Sequence, residues 1–165
     1  MTALCFVDAN VLVYSNDPRD ASKQERAREW LDLLWRERRG RTSVQAMYET
    51  YVTLSRLGAE DAWNRAARYF SWQPAAIDSN LLMRARELEQ RFQLSWWDGM
   101  IVAAAQALEC RILLTEDLQD GQMFGTVRVR NPFLHAVEQP SAEYTVKPLA
   151  VRRGRGRPRR AESRA

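Results

Sequence analysis

The chain has 165 residues, of which 45% are hydrophobic and 28% charged, a balance typical of one globular domain with a substantial core. No apolar run approaches the ~20 residues of a membrane-spanning helix, and the first residues lack the basic start of a secretory signal peptide. The single histidine argues against His-rich zinc sites and a Ser-His-Asp triad. Cys5 and Cys110 lack metal-ligand spacing, so we expect reduced core thiols in a cytoplasmic protein.

Positive charge is concentrated at the end of the chain. The residues from Arg152 onward include seven arginines and one glutamate, a charge of +6 against +4 for the whole sequence, so residues 1–151 carry −2. We therefore predict two parts, a folded domain at 1–138 and a basic, disordered tail at 139–165. A slightly acidic body is unusual for a nucleic-acid-binding protein unless its acids have a function.

The first predicted element is a strand at residues 4–7, because a short apolar run followed by polar residues is typical of a buried parallel strand. Asp8 follows it directly. Open α/β sheets place their ligands at the carboxyl ends of strands, so Asp8 is a candidate site residue. The alternative is an ordinary turn aspartate.

Helical periodicity recurs through the middle of the chain. The segments that it predicts as helices are 23–38, 45–54, 60–71, 80–92 and 95–108. Gly40 is expected to end the first of them. Glu49 lies on a mostly apolar stretch of the second, which is unusual for a glutamate. Brief strands are predicted at 42–44 and 75–77.

The last predicted helix begins with Ser95 as its N-cap, and Asp98 lies three residues further on. Asp98 is either a capping carboxylate favoured by the helix dipole or a catalytic or metal-binding group at the mouth of a cleft. A strand at 110–115 follows and is succeeded by Asp117. The alternating segment 127–130 predicts an edge strand.

Strands that alternate with helices predict an α/β fold with a mainly parallel sheet. Right-handed crossovers bring the carboxyl ends of such strands to one edge, so four acids can face one cleft. These acids are Asp8, Glu49, Asp98 and Asp117. Four carboxylates repel one another unless a cation joins them, and oxygen ligands select Mg²⁺ or Mn²⁺. Such a site suits hydrolysis of phosphodiesters.

Four acidic segments resemble, in order, the motifs of the PIN domain, and those of the VapC-type toxins of bacterial toxin–antitoxin pairs in particular. They are Val7–Leu12, Ser43–Glu49, Trp97–Ala105 and Leu113–Gly121. The segment Val127–Phe133 resembles the last strand of that group. The resemblance covers about residues 3–134. It implies a three-layer α/β/α sandwich, metal-dependent ribonuclease activity, a homodimer and a small antitoxin that covers the cleft.

The resemblance also implies roles for individual residues. The catalytic quartet that it implies is Asp8, Glu49, Asp98 and Asp117. Asp8 and Asp98 would be the principal Mg²⁺ ligands, and the other two would complete the site and orient the attacking water. The accessory positions that it implies are Asn10, Thr115 and Asp120. Gly99 replaces the alanine that is usual after the third acid, and we expect this only to loosen the helix start slightly.

Two other functions fit parts of the sequence. A haloacid-dehalogenase-like phosphatase also begins with a strand ending in Asp, but it needs a second acid where this chain has Asn10. No suitable catalytic lysine is evident either, because the only lysines are Lys23 and Lys147.

The other alternative is a nucleic-acid-binding module that acts through the tail, where Arg-Gly-Arg-Pro resembles an AT-hook able to contact DNA in an A·T minor groove. Its candidate arginines are Arg153, Arg155, Arg157, Arg159 and Arg160. The tail could instead attract phosphate without specificity.

Overall fold

The computed structural model describes residues 3–137, so the predicted tail and its arginines lie outside the described residues. The elements in chain order are β1 (Cys5–Val7), α1 (Ala9–Tyr14), α2 (Ala21–Glu37), β2 (Gly40–Arg41), α3 (Val44–Arg56), α4 (Ala62–Ala67), a 3₁₀ helix (Arg68–Trp72), α5 (Ser79–Phe92), α6 (Trp96–Ala107), β3 (Ile112–Leu114), β4 (Met123–Phe124) and β5 (Val127–Arg130).

The five strands form one sheet in the order β2-β1-β3-β5-β4. The first four strands in that order are parallel, and β4 pairs antiparallel with β5. The predicted α/β fold is therefore confirmed. The prediction of an edge strand at 127–130 is wrong, because β5 lies between β3 and β4. The sequence pattern missed β4, which has only two residues.

Helices cover both faces of the sheet. On one face, Phe6, Leu113 and Val129 pack against α5 and α6. On the other, Val7 and Leu114 pack against α1 and α2. Both cysteines are buried and unpaired, as predicted. Within residues 3–137, no helix combines the length and apolarity needed to cross a bilayer.

The prediction that Gly40 ends the helix before the second strand is wrong. Helix α2 ends at Glu37, and Arg38 takes the left-handed conformation at its C-cap (φ 56°), so Gly40 does not end this helix. Gly40 instead belongs to β2, where the ring of Trp72 occupies the space that a Cβ atom would need. A glycine at this position serves packing rather than helix termination.

The predicted strands at 42–44 and 75–77 are also wrong, since these segments share only an isolated bridge between Ser43 and Ala75. Ser43 caps α3 by accepting a hydrogen bond from the Ala46 N–H at 3.1 Å. The helix predicted at 60–71 is interrupted, because α4 gives way to the 3₁₀ helix at Arg68.

Helices α5 and α6 approach closely at Gly99. A Cβ atom at this position would lie 2.9 Å from the carbonyl oxygen of Ala85, which is closer than side chains normally come to backbone. The expectation that Gly99 only loosens the start of α6 is therefore incomplete. Its missing side chain lets the two helices pack together.

Candidate active site

Asp8 lies at the carboxyl end of β1, which has paired strands on both sides. Its carboxylate caps α1 by accepting a hydrogen bond from the Ala9 N–H at 2.7 Å. The hydroxyl of Thr115, directly after β3, donates to Asp8 Oδ2 at 2.8 Å. Only 6% of Asp8 is exposed, so the sheet holds this carboxylate in one buried orientation.

The surroundings of Asp8 act on its charge in opposite directions. The pKa of Asp8 is raised to about 7, mainly by burial and to a smaller extent by the negative charges of Asp117 and Glu49, against the lowering effect of the hydrogen bonds from Thr115 and Ala9. Asp117 and Glu49 therefore lie near enough to Asp8 for their charges to act on it. A group that adds positive charge here would favour the ionised carboxylate.

Asn10 joins the ends of β1 and β3. Its amide nitrogen lies 3.3 Å from Asp8 Oδ2, 2.9 Å from Thr115 Oγ1 and 3.0 Å from Asp117 Oδ2. The backbone N–H of Asp117 also donates to Thr115 Oγ1 at 3.2 Å. Four of the predicted site residues thus form one hydrogen-bonded network. The amide oxygen of Asn10 is buried and has no hydrogen-bond partner within residues 3–137.

Glu49 and Asp98 are each held by a neighbour on their own helix. Glu49 is partly buried and accepts a hydrogen bond from Gln45 Nε2 at 2.9 Å. Ser95 Oγ accepts from the Asp98 N–H at 3.1 Å and donates to Asp98 Oδ2 at 2.7 Å. The capping prediction for Ser95 is confirmed. In the described part of the chain, no hydrogen bond connects Asp98 to the network around Asp8.

Asp120 has partners of its own. Its carboxylate accepts from the Asn131 N–H at 2.8 Å and lies 2.8 Å from His135 Nε2. These bonds, the backbone one first, lower the pKa of Asp120. Asp120 thereby ties the turn after β3 to the segment after β5, and its accessory role in the site remains a prediction.

Sequence reasoning missed the support of the loop that carries Asp117. Lys23 Nζ donates to Glu116 Oε2 at 2.6 Å and to the Tyr14 hydroxyl at 3.1 Å. The ammonium also lies 4.4 Å from the centroid of the Tyr14 ring and 5.1 Å from that of Phe133. No local sequence pattern predicts this contact, because Lys23 and Glu116 are 93 residues apart.

The oxygen donors at this edge of the sheet suit a hard divalent cation. Asp8 and Asp117 supply carboxylate oxygens, and the unpartnered amide oxygen of Asn10 is a neutral ligand of the same kind. Among residues 3–137, however, no three acid, histidine or cysteine side chains lie close enough together to hold a metal ion. The oxygen donors at the ends of β1 and β3 therefore fit a hard cation in their chemistry, but the acids are not gathered into a metal-binding cluster, and Asp98 lies outside the hydrogen-bonded network.

The PIN domain family matches residues 5–119, which spans the ends of both central strands and all four acids. The chain belongs to the PIN domain family. One similar solved structure is Mycobacterium tuberculosis VapC20, described as a sarcin–ricin loop cleaving toxin. It has a TM-score of 0.55 and 20% identity, over 68% of this chain and 91% of VapC20.

A second similar structure is a toxin–antitoxin complex from Klebsiella pneumoniae, with a TM-score of 0.55 and 20% identity over 78% of this chain and 97% of that one. No curated protein matches the sequence. At this identity, the two structures support the fold of the PIN domain, which the sheet order and the helices on both faces display.

Proposed function

We propose that this PIN domain is a divalent-cation-dependent endoribonuclease that hydrolyses RNA phosphodiester bonds. The observation that supports this most is the position of Asp8. It is a buried carboxylate at the end of a central strand, hydrogen-bonded into one network with Asn10, Thr115 and Asp117. The fold is shared with a structure described as a sarcin–ricin loop cleaving toxin, which supports RNA as the substrate class.

Asp8 and Asp98 would hold the cation, Mg²⁺ or Mn²⁺, and Asp117 and Glu49 would complete its surroundings. When bound, the cation supplies Lewis-acid chemistry, lowering the pKa of water and neutralising charge on the phosphoryl oxygens. Thr115 and Asn10 fix the Asp8 carboxylate, so little reorganisation is needed on binding. Glu49 and Asp117 would orient the attacking water.

We further propose that the protein is the toxin of a toxin–antitoxin pair. Its structural likeness to a chain from a toxin–antitoxin complex supports a cognate antitoxin as partner. In this account the protein is a cytoplasmic homodimer whose cleft the antitoxin covers. The arginine-rich tail adds contacts to RNA or DNA phosphates.

The test is cleavage of total RNA by the purified protein in Mg²⁺ and in EDTA, with the cut sites mapped. We expect Asp8→Asn to abolish cleavage, because Asn keeps the shape of the side chain and removes its charge. Asp32→Asn, at an exposed position on α2, is the matched control and should cleave like wild type. Wild-type cleavage by Asp8→Asn, or cleavage unaffected by EDTA, contradicts the proposal. RNA binding without any cleavage points to a binding module instead.

A further inference from the structure

Trp97 presents a large aromatic ring to solvent. It is 62% exposed, whereas its neighbour Trp96 packs against the core. Within residues 3–137, Trp97 has no ring contact and no side-chain hydrogen bond. Tryptophan is usually well buried, because exposing its apolar surface to water is unfavourable. Within residues 3–137, this ring therefore has neither a stacking partner nor a hydrogen-bonding partner.

The local sequence does not need Trp97 either. Ser95 already caps α6 and bonds both the N–H and the carboxylate of Asp98. Trp97 lies between them. It thus stands one residue before one of the four predicted catalytic acids in the chain, in the first turn of α6.

The charge of the protein body bears on how RNA can be held near Trp97. Residues 1–151 carry −2, and the candidate site itself is lined by acids, so the body of the protein offers little general attraction for phosphate. Stacking of a nucleobase on an aromatic face is attractive without positive charge and needs an unpaired base. An exposed indole ring in the turn of α6 that carries a predicted site acid is suited to this contact.

We propose that Trp97 is a specificity-determining residue that stacks one unpaired base of the RNA substrate beside the scissile phosphate. This inference rests on the proposed ribonuclease function and deepens it. The RNA backbone lies along the acids of the site, and the base turned towards α6 lies on the indole ring. The protein then distinguishes RNAs by whether a base is present at this one position, even when the RNAs carry the same number of phosphates.

The experiment uses the full chain and a short single-stranded RNA that contains a mapped cut site. A series of matched RNAs carries one abasic nucleotide at each position flanking the cut, which removes a base and keeps every phosphate. The proteins are wild type, Trp97→Ala, Trp97→Phe and Trp63→Ala. Trp63 is the matched control, being a tryptophan of 57% exposure whose ring contacts Tyr51 and Phe70.

We expect wild type to lose about 5- to 100-fold in kcat/KM at one abasic position, mainly through KM, as loss of one stacked base predicts. Trp97→Ala should cleave the intact RNA at that reduced efficiency and show no further abasic penalty. Trp97→Phe should keep most of the penalty, and Trp63→Ala should keep all of it. Thermal unfolding should leave the Tm of Trp97→Ala close to wild type, because the ring is exposed.

An abasic penalty that Trp97→Ala retains in full overturns the inference. The inference is also overturned if Trp97→Ala changes the oligomeric state or antitoxin capture and leaves the base preference intact. Trp97 would then contact another protein chain and not the RNA. If wild type cleaves none of the RNAs, the ribonuclease function has failed. Fluorescence anisotropy with the same RNAs then tests Trp97 separately, and equal abasic penalties in wild-type and Trp97→Ala binding overturn the stacking contact.

Discussion

Asp8 is surrounded by hydrogen-bond donors that stabilise its charge and by a buried setting that opposes it. The sequence predicts its position, because an apolar run ending in Asp is a local pattern. It does not predict the bond from Thr115, since Asp8 and Thr115 are 107 residues apart and meet only through strand pairing. The bond between Asp120 and His135 cannot be predicted from local sequence either, because it depends on where β5 lies in the sheet.

The raised pKa of Asp8 predicts a pH dependence of stability. Its pKa is about 7 in the folded protein against an ordinary value of 3.8, so the folded state keeps a proton that the unfolded chain loses between these values. The free energy of unfolding in EDTA should therefore fall as the pH rises through this window, by as much as about 4 kcal/mol. Asp8→Asn should remove this fall.

Urea unfolding in EDTA at several pH values from 4 to 8 measures this effect as the difference between wild type and Asp8→Asn. Asp32→Asn should follow wild type, because its side chain is exposed. If the free energy of unfolding of Asp8→Asn falls with pH as much as that of wild type, the pKa of Asp8 is ordinary and this carboxylate is not buried as described.

Packing between α5 and α6 shows what periodicity can and cannot reveal about elements. The apolar pattern predicts both helices and the cap at Ser95, which the structure confirms. It cannot reveal that the helices approach so closely at Gly99 that a Cβ atom meets the Ala85 carbonyl oxygen. Gly40 is a second such case, because the ring of Trp72 that fills its space comes from a distant helix.

We predict that Gly99→Ala destabilises the protein by about 1–3 kcal/mol, although alanine is the better helix former by about 1 kcal/mol. The methyl group would lie against backbone, which cannot move aside as a flexible side chain can. Ala107→Gly, at the exposed end of α6, is the control and should cost at most about 1 kcal/mol through helix propensity alone. Chemical denaturation measures both, and a Gly99→Ala variant more stable than wild type refutes the close packing.

At the scale of the whole molecule, charge is divided between a slightly acidic body and a tail of +6. The sequence alone predicts this division, the parallel sheet, the positions of Asp8 and Asp117 after strands and that of Asp98 at the start of a helix. It misses β4 and the separation of Asp98 from the Asp8 network. Both depend on contacts between segments far apart in the chain, which no local pattern records.

Deletion of residues 152–165 should weaken RNA binding and reduce its salt dependence. At most seven arginine–phosphate contacts are lost, so the slope of log K against log salt should fall by at most about 5 for a single strand. Cleavage of a short RNA at saturating concentration should persist, because all four acids remain. Anisotropy titrations across salt concentrations measure the slope, and an unchanged slope shows that the tail does not contact nucleic acid.

We propose that the four acids serve one cation site, and Asp98, which lies outside the hydrogen-bonded network, is the residue that tests this most directly. The measurement is the Tm of wild type and Asp98→Asn, each in EDTA and in Mg²⁺. At a hundred times the dissociation constant, Mg²⁺ should raise the wild-type Tm by about 5–10 °C. In EDTA, Asp98→Asn should melt at least as high as wild type, because Asn also caps helices and one repelling charge is gone. In Mg²⁺, the Tm of the variant should rise clearly less than that of wild type. A variant that is less stable in EDTA and gains as much from Mg²⁺ as wild type shows that Asp98 is only a helix cap, and contradicts the shared site.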